Sequence, residues 1–71
     1  MTAFIKSETQ YIATGTIARV GGFVGIVTAS KVTLDKNGVA GFPVMTIESP
    51  ARSEVKVVRV TRDTVIEIPA P

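Results

Sequence analysis

The chain has 71 residues, no Cys and no His, and a net charge of +2 from eight basic and six acidic side chains. That length allows one domain. The missing residue types exclude disulfides, the usual zinc and iron ligand sets, and any His base or Cys nucleophile, and so small a charge does not by itself indicate nucleic acid.

Hydrophobic residues make up 45% of the chain, yet only three Phe and one Tyr are aromatic. Val, Ile and Thr together exceed a third of it. β-Branched side chains fit a pleated sheet and lose rotamer freedom in helices, so the expected fold is all-β. The form expected is a small β-sandwich or barrel of short antiparallel strands over residues 1–71. The longest apolar run is far short of the ~20 residues of a spanning helix, so no membrane partner is expected. Met1-Thr2-Ala3-Phe4-Ile5-Lys6 lacks a signal-peptide layout.

In chain order, residues 4–6 read as a short strand. Residues 7–14 carry two patterns: Ser7 with Gln10 matches a capping box with Gly15 as a stop, whereas Tyr11-Ile12-Ala13-Thr14 reads as strand or irregular, the preferred reading. Thr16-Ile17-Ala18-Arg19-Val20 and Phe23-Val24-Gly25-Ile26-Val27-Thr28 flank Gly21-Gly22, the pattern of a two-residue hairpin turn with positive φ at both glycines. Both alternating sets of the second run are largely apolar, so this strand is buried on two faces or covered by a partner. Gly25 inside it signals a bulge or a close backbone approach.

Residues 31–34 form the next expected strand, and Asp35-Lys36-Asn37-Gly38 is a turn opened by Asp with Gly in the left-handed region. Residues 39–47 return as a strand, which Pro43 restricts to an edge or a bulge. Ser49-Pro50-Ala51-Arg52 turns the chain again. Residues 54–61 and 64–68 are the last strands, with Val57-Val58 breaking alternation as a bulge or a two-sided strand does.

No set of residues reads as catalytic. Glu8, Asp35, Glu48, Glu54, Asp63 and Glu67 are scattered over turns and strand faces, where carboxylates are ordinarily solvated. Gly21-Gly22-Phe23-Val24-Gly25 is no phosphate loop, because such a loop leads into a helix N-terminus and this one leads into a β-branched run. No catalytic residue, cofactor, metal or small-molecule substrate is expected. Arg52, Lys56, Arg59 and Arg62 place four positive charges within eleven residues. A bulge at Val57-Val58 would bring Lys56 and Arg59 onto one face, and a basic strand can track a phosphate backbone. Nucleic acid is the less favoured partner, since Phe23 and Phe42 read as core and acidic residues dilute the patch.

The central segment resembles one family. Ile12-Ala13-Thr14-Gly15-Thr16-Ile17, followed by Val20-Gly21-Gly22-Phe23-Val24-Gly25-Ile26, is similar to the pattern of small capsid cement, or decoration, proteins of tailed bacteriophages. Gly38-Val39-Ala40, the strand to Ile47 and Pro50 occupy the later places of that pattern, so the similarity spans residues 12–50. Val32-Thr33-Leu34-Asp35 with Asn37-Gly38-Val39-Ala40 also resembles a hairpin of bacterial Ig-like adhesin modules, though 71 residues are too few for a complete module.

The first resemblance implies a virion protein made in the host cytoplasm and seated on the capsid exterior. Its partners would be the major capsid protein and copies of itself, in a homo-oligomer with three chains favoured over two. The contact residues expected are Phe4, Ile5, Phe23, Val24, Ile26, Pro69 and Pro71, with residues 1–5 and 69–71 as contact arms. The alternative is a small barrel that binds single-stranded nucleic acid through residues 52–62.

Overall fold

A computed structural model describes residues 3–71. Six strands follow one another: β1 (Phe4–Lys6), β2 (Ile17–Val20), β3 (Phe23–Leu34), β4 (Ala40–Ser49), β5 (Glu54–Arg59) and β6 (Glu67–Pro69). All pair antiparallel in a single sheet of order β1-β6-β2-β3-β4-β5, which leaves β1 and β5 as its edges. The all-β class and the antiparallel pairing are as expected; the strands lie in one open sheet where a sandwich or barrel was expected, and β3 and β4 run to twelve and ten residues.

The Gly21-Gly22 hairpin forms as the sequence predicts, with φ of 58° and 83° at the two glycines. The turn after β3 is built by Asp35. Its Oδ1 accepts from the Asn37 and Val39 amides at 2.8 and 2.9 Å, and Gly38, at φ 77°, donates to the Asp35 carbonyl. The expected strand at residues 31–34 is the last third of the twelve-residue β3, which runs on from the expected strand before it. Residues 7–16 are irregular: Ser7 Oγ closes a local turn with Thr9, and Gly15 is at φ 89°.

Pro43 lies in β4 where the register against β3 shifts between Val32 and Leu34. It is therefore at an irregularity, one of the two places open to it. No bulge occurs at Val57-Val58; β5 pairs with β4 in unbroken register from Ser49↔Glu54 to Val44↔Arg59. Val58 packs in the core while Val55 and Val57 face the opposite side, so β5 is two-sided and regular. The last strand is shorter than expected, because the Thr61–Thr64 turn occupies part of that segment.

The core lies on one face of the sheet. Ala18, Val20, Val27, Met45, Ile47 and Val58 supply it from the strands. Ile12, Val60 and Ile66 cover it from the irregular segments, and Phe23 and Ile68 pack at its margin. Gly25 belongs to this face, opposite Ala18. A Cβ there would meet the Glu48 carbonyl oxygen, with Ile47 Cγ2 at 2.7 Å and Glu48 C at 2.8 Å. Gly25 is thus the close backbone approach that the sequence signals.

Replacing Gly25 tests this packing. Gly25→Ala forces the β4 backbone away and should destabilise the fold by about 1–3 kcal/mol in urea denaturation. Gly41→Ala, whose Cβ would meet nothing nearer than the Thr33 carbonyl at 3.7 Å, should change stability by less than about 0.5 kcal/mol.

Candidate functional site

Pleating sends alternate residues to the face opposite the core. The ladders align Ile17 of β2 with Ile26 of β3, Glu48 of β4 and Val55 of β5 in one row across that outer face. Arg19 lies beside Val24, and Thr46 beside Val57. Ile17, Val24, Ile26, Val55 and Val57 are 45, 42, 38, 60 and 65% exposed. They form an apolar stripe drawn from β2, β3 and β5, broken on β4 by Glu48 and Thr46.

One border of the stripe is charged. Lys6, Glu67, Arg19 and Val24 are successive partners over β1, β6, β2 and β3. Arg19 binds Glu67 through both ends of its guanidinium, Nε to Oε1 at 3.1 Å and Nη2 to Oε2 at 2.7 Å. The same guanidinium lies 4.5 Å from the centroid of the Phe4 ring, within cation–π range. The pair is 48 residues apart in sequence, and nothing in the local pattern joins its members. The Arg19 hydrogen bonds hold the Glu67 carboxyl below the usual carboxylate range; partial desolvation opposes the shift and charge attraction adds to it.

Of the residues expected to make contacts, Phe4, Val24, Ile26 and Pro69 share the outer face, since Phe4 and Pro69 continue the alternation of Lys6 and Glu67. Phe23 and Ile5 stand on the core side, opposite Val20 and Ile68. The chain ends pair with each other: Phe4 and Ile5 face Pro69 and Ile68, and the Ala70 amide donates to the Ala3 carbonyl at 2.8 Å. Any contact that residues 4, 5 and 69 make with a neighbour is therefore made from within the sheet. Pro71 is exposed just beyond it. Met1 and Thr2 lie outside the described residues.

The basic residues do not form one surface. Arg52 is in the β4–β5 turn. Lys56 stands on the core side, with Nζ 6.0 Å from the centroid of Phe23. Arg59 is on the other side of β5, because the bulge that would have joined it to Lys56 is absent. Arg59 and Arg62 line a shallow groove of about 440 Å³ with Phe42, Val44 and Thr61. Tyr11 covers Phe42 with ring centroids 6.4 Å apart and donates its hydroxyl to the Gly41 carbonyl at 3.2 Å. Among the described residues no three acidic side chains come together as metal ligands would, and no helix is long and apolar enough to cross a membrane.

The Arg19–Glu67 pair makes stability pH-dependent in a definite direction. Its carboxyl is depressed in the folded state, so its contribution is complete above the ordinary Glu pKa of about 4.3 and is lost as pH falls through the lower folded value. Thermal melting from about pH 6 to about pH 3 should show the native chain losing more stability than Glu67→Gln, which lacks the titrating group. Parallel curves would show that the pair contributes nothing. Set against protein-family models, curated proteins and solved structures, the chain matches none of them.

Proposed function

We propose that this chain is a structural binding module that lays the outer face of its sheet on a larger protein assembly. The observation that supports this is the stripe of Ile17, Val24, Ile26, Val55 and Val57, apolar and exposed on the face opposite the core. Apolar side chains gathered on one exposed face, with polar and charged groups among and around them, are the composition of an interaction site. The Phe4–Arg19–Glu67 cluster would give such a site its polar rim. The resemblance over residues 12–50 supplies the identity of the assembly. On this reading the partner is a major capsid protein, and the chain is a cement protein on the outside of a virion. It would stabilise the shell by covering apolar surface and bridging capsid subunits, in company with copies of itself.

One observation favours a second reading. Arg59 and Arg62 share a groove with Phe42, and cations beside an aromatic ring are the elements of a single-strand site. Lys56 lies on the other face and Tyr11 occupies one side of Phe42, which leaves two cations and little free ring surface. Binding of that kind would weaken steeply with salt, and oligonucleotide titrations at two salt concentrations measure it.

The docking face is tested on particles. Val24→Asp combined with Ile26→Asp puts two charges into the stripe and leaves every core residue in place. The variant should fold and melt near the native temperature, while its retention on capsids falls at least about tenfold and the particles release their genome at a lower temperature. Retention equal to that of the native chain overturns the docking face. Equal release temperatures for stripped and intact particles overturn the cement role.

A further inference from the structure

The two edges of the sheet differ. β1 has three residues and is tied at both ends, by the Ser7 amide on the Ile66 carbonyl and the Ala70 amide on the Ala3 carbonyl. β5 has six residues, contains no proline and no bulge, and exposes every residue but Val58. Native sheets blunt such an edge or cover it.

The hydrogen bonding fixes which groups β5 offers. The Val60 amide donates to the Pro43 carbonyl at 3.1 Å, and the β4–β5 register is unbroken. Alternation then turns the amides and carbonyls of Val58, Lys56 and Glu54 toward β4, and those of Val55, Val57 and Arg59 outward. A strand added at this edge must bond to the odd-numbered residues.

Charge selects among the registers open to a second β5. With Val57 opposite its own copy, Lys56 faces Val58 and no charges meet. With Val55 opposite Val57, Lys56 faces Lys56, which is repulsive. With Val55 opposite its own copy, Glu54 of each chain faces Lys56 of the other, giving two opposite-charge pairs on one face. Arg19–Glu67 is the one ion pair among the described residues, so Glu54 and Lys56 have no ion-pair partner there; the Lys56 ammonium, 6.0 Å from the Phe23 ring, would turn from it toward Glu54 of the second copy.

We infer that two copies of the chain join β5 to β5 across a two-fold axis centred on Val55, with Glu54 of each opposite Lys56 of the other, in one continuous twelve-stranded sheet. Self-pairing at an edge closes with two chains, so this interface makes a dimer where the resemblance favours a trimer. It sets the two Val55 side chains against each other on the outer face, with Val57 of each copy diagonal to Val55 of the other. The inference stands apart from the capsid reading, because its residues are at the edge and its test needs no particle.

Sedimentation of the full chain should give twice the mass of one chain. Glu54→Lys alone sets lysine against lysine at both pairs, and Lys56→Glu alone sets glutamate against glutamate. Each should weaken association about tenfold or more. Mixing the two variants restores both attractive pairs, so the mixture should associate as the native chain does. Val55→Pro, which removes an outward amide that β4 does not use, should leave a folded single chain. A native chain that sediments as a monomer or trimer overturns the inference. So does a mixture no tighter than its components.

Discussion

A single sheet has two faces, and a chain of 71 residues covers only one of them. Ile12, Val60 and Ile66 are the residues outside the strands that reach the core, and all three go to the same face. The segments between the remaining strands are tight turns, at Gly21-Gly22, Asp35–Gly38 and Ser49–Ser53, with nothing to spare for the other side. The outer face nevertheless carries Val and Ile at Ile17, Val24, Ile26, Val55 and Val57. Fully burying such a side chain is worth about 1.5–3 kcal/mol; these five are already half covered, so docking would recover on the order of 5 kcal/mol. Association costs about 4–15 kcal/mol. One copy's stripe is thus marginal by itself. Two stripes joined in one sheet meet that cost once for twice the apolar area, which links the edge-to-edge dimer to the docking face.

The second dependence is the seam between β6 and β2. Arg19↔Glu67 is the sole register pair joining them, and the bidentate ion pair forms at that position. An exposed ion pair is ordinarily worth little, but here it holds the β1–β6 ladder against the body of the sheet, with Phe4 stacked over the guanidinium. Pro69 fits at the seam because β2 reaches only Glu67. The Ala3–Ala70 and Ser7–Ile66 bonds show that residue 69 turns its nitrogen away from β1, so its missing amide proton costs no ladder bond.

Local chemistry was legible in the sequence, and long-range geometry was not. Gly21-Gly22, Asp35 with Gly38, and Gly25 each announced a backbone requirement within a few residues, and each meets it in the structure. The doubly apolar run from Phe23 implied burial on both faces or a covering partner; one face is in the core and the other is open. Val57-Val58 read as a bulge or a two-sided strand, and it is the second; the ladder irregularities lie between β3 and β4, with the extra residue in β3 between Val27 and Ala29 and in β4 between Ala40 and Pro43. A doubled apolar pair does not distinguish a bulge from an edge strand that exposes one face, and β5 is the latter. The division of the basic segment follows from that register. The Arg19–Glu67 pair depended on the strand order, which no motif encodes.

The proposed role requires the outer face of the sheet to be covered in the working assembly. The chain has no cysteine, so one introduced by Val24→Cys reports on this face alone. Its reaction rate with a soluble thiol reagent, measured in the free chain and in the assembled particle, tests this requirement most directly. A covered face gives fast labelling in the free chain and labelling slowed at least about tenfold in the assembly, while Asn37→Cys, at the tip of the β3–β4 hairpin, reacts at the same rate in both. Equal rates for Val24→Cys in the two states would contradict it.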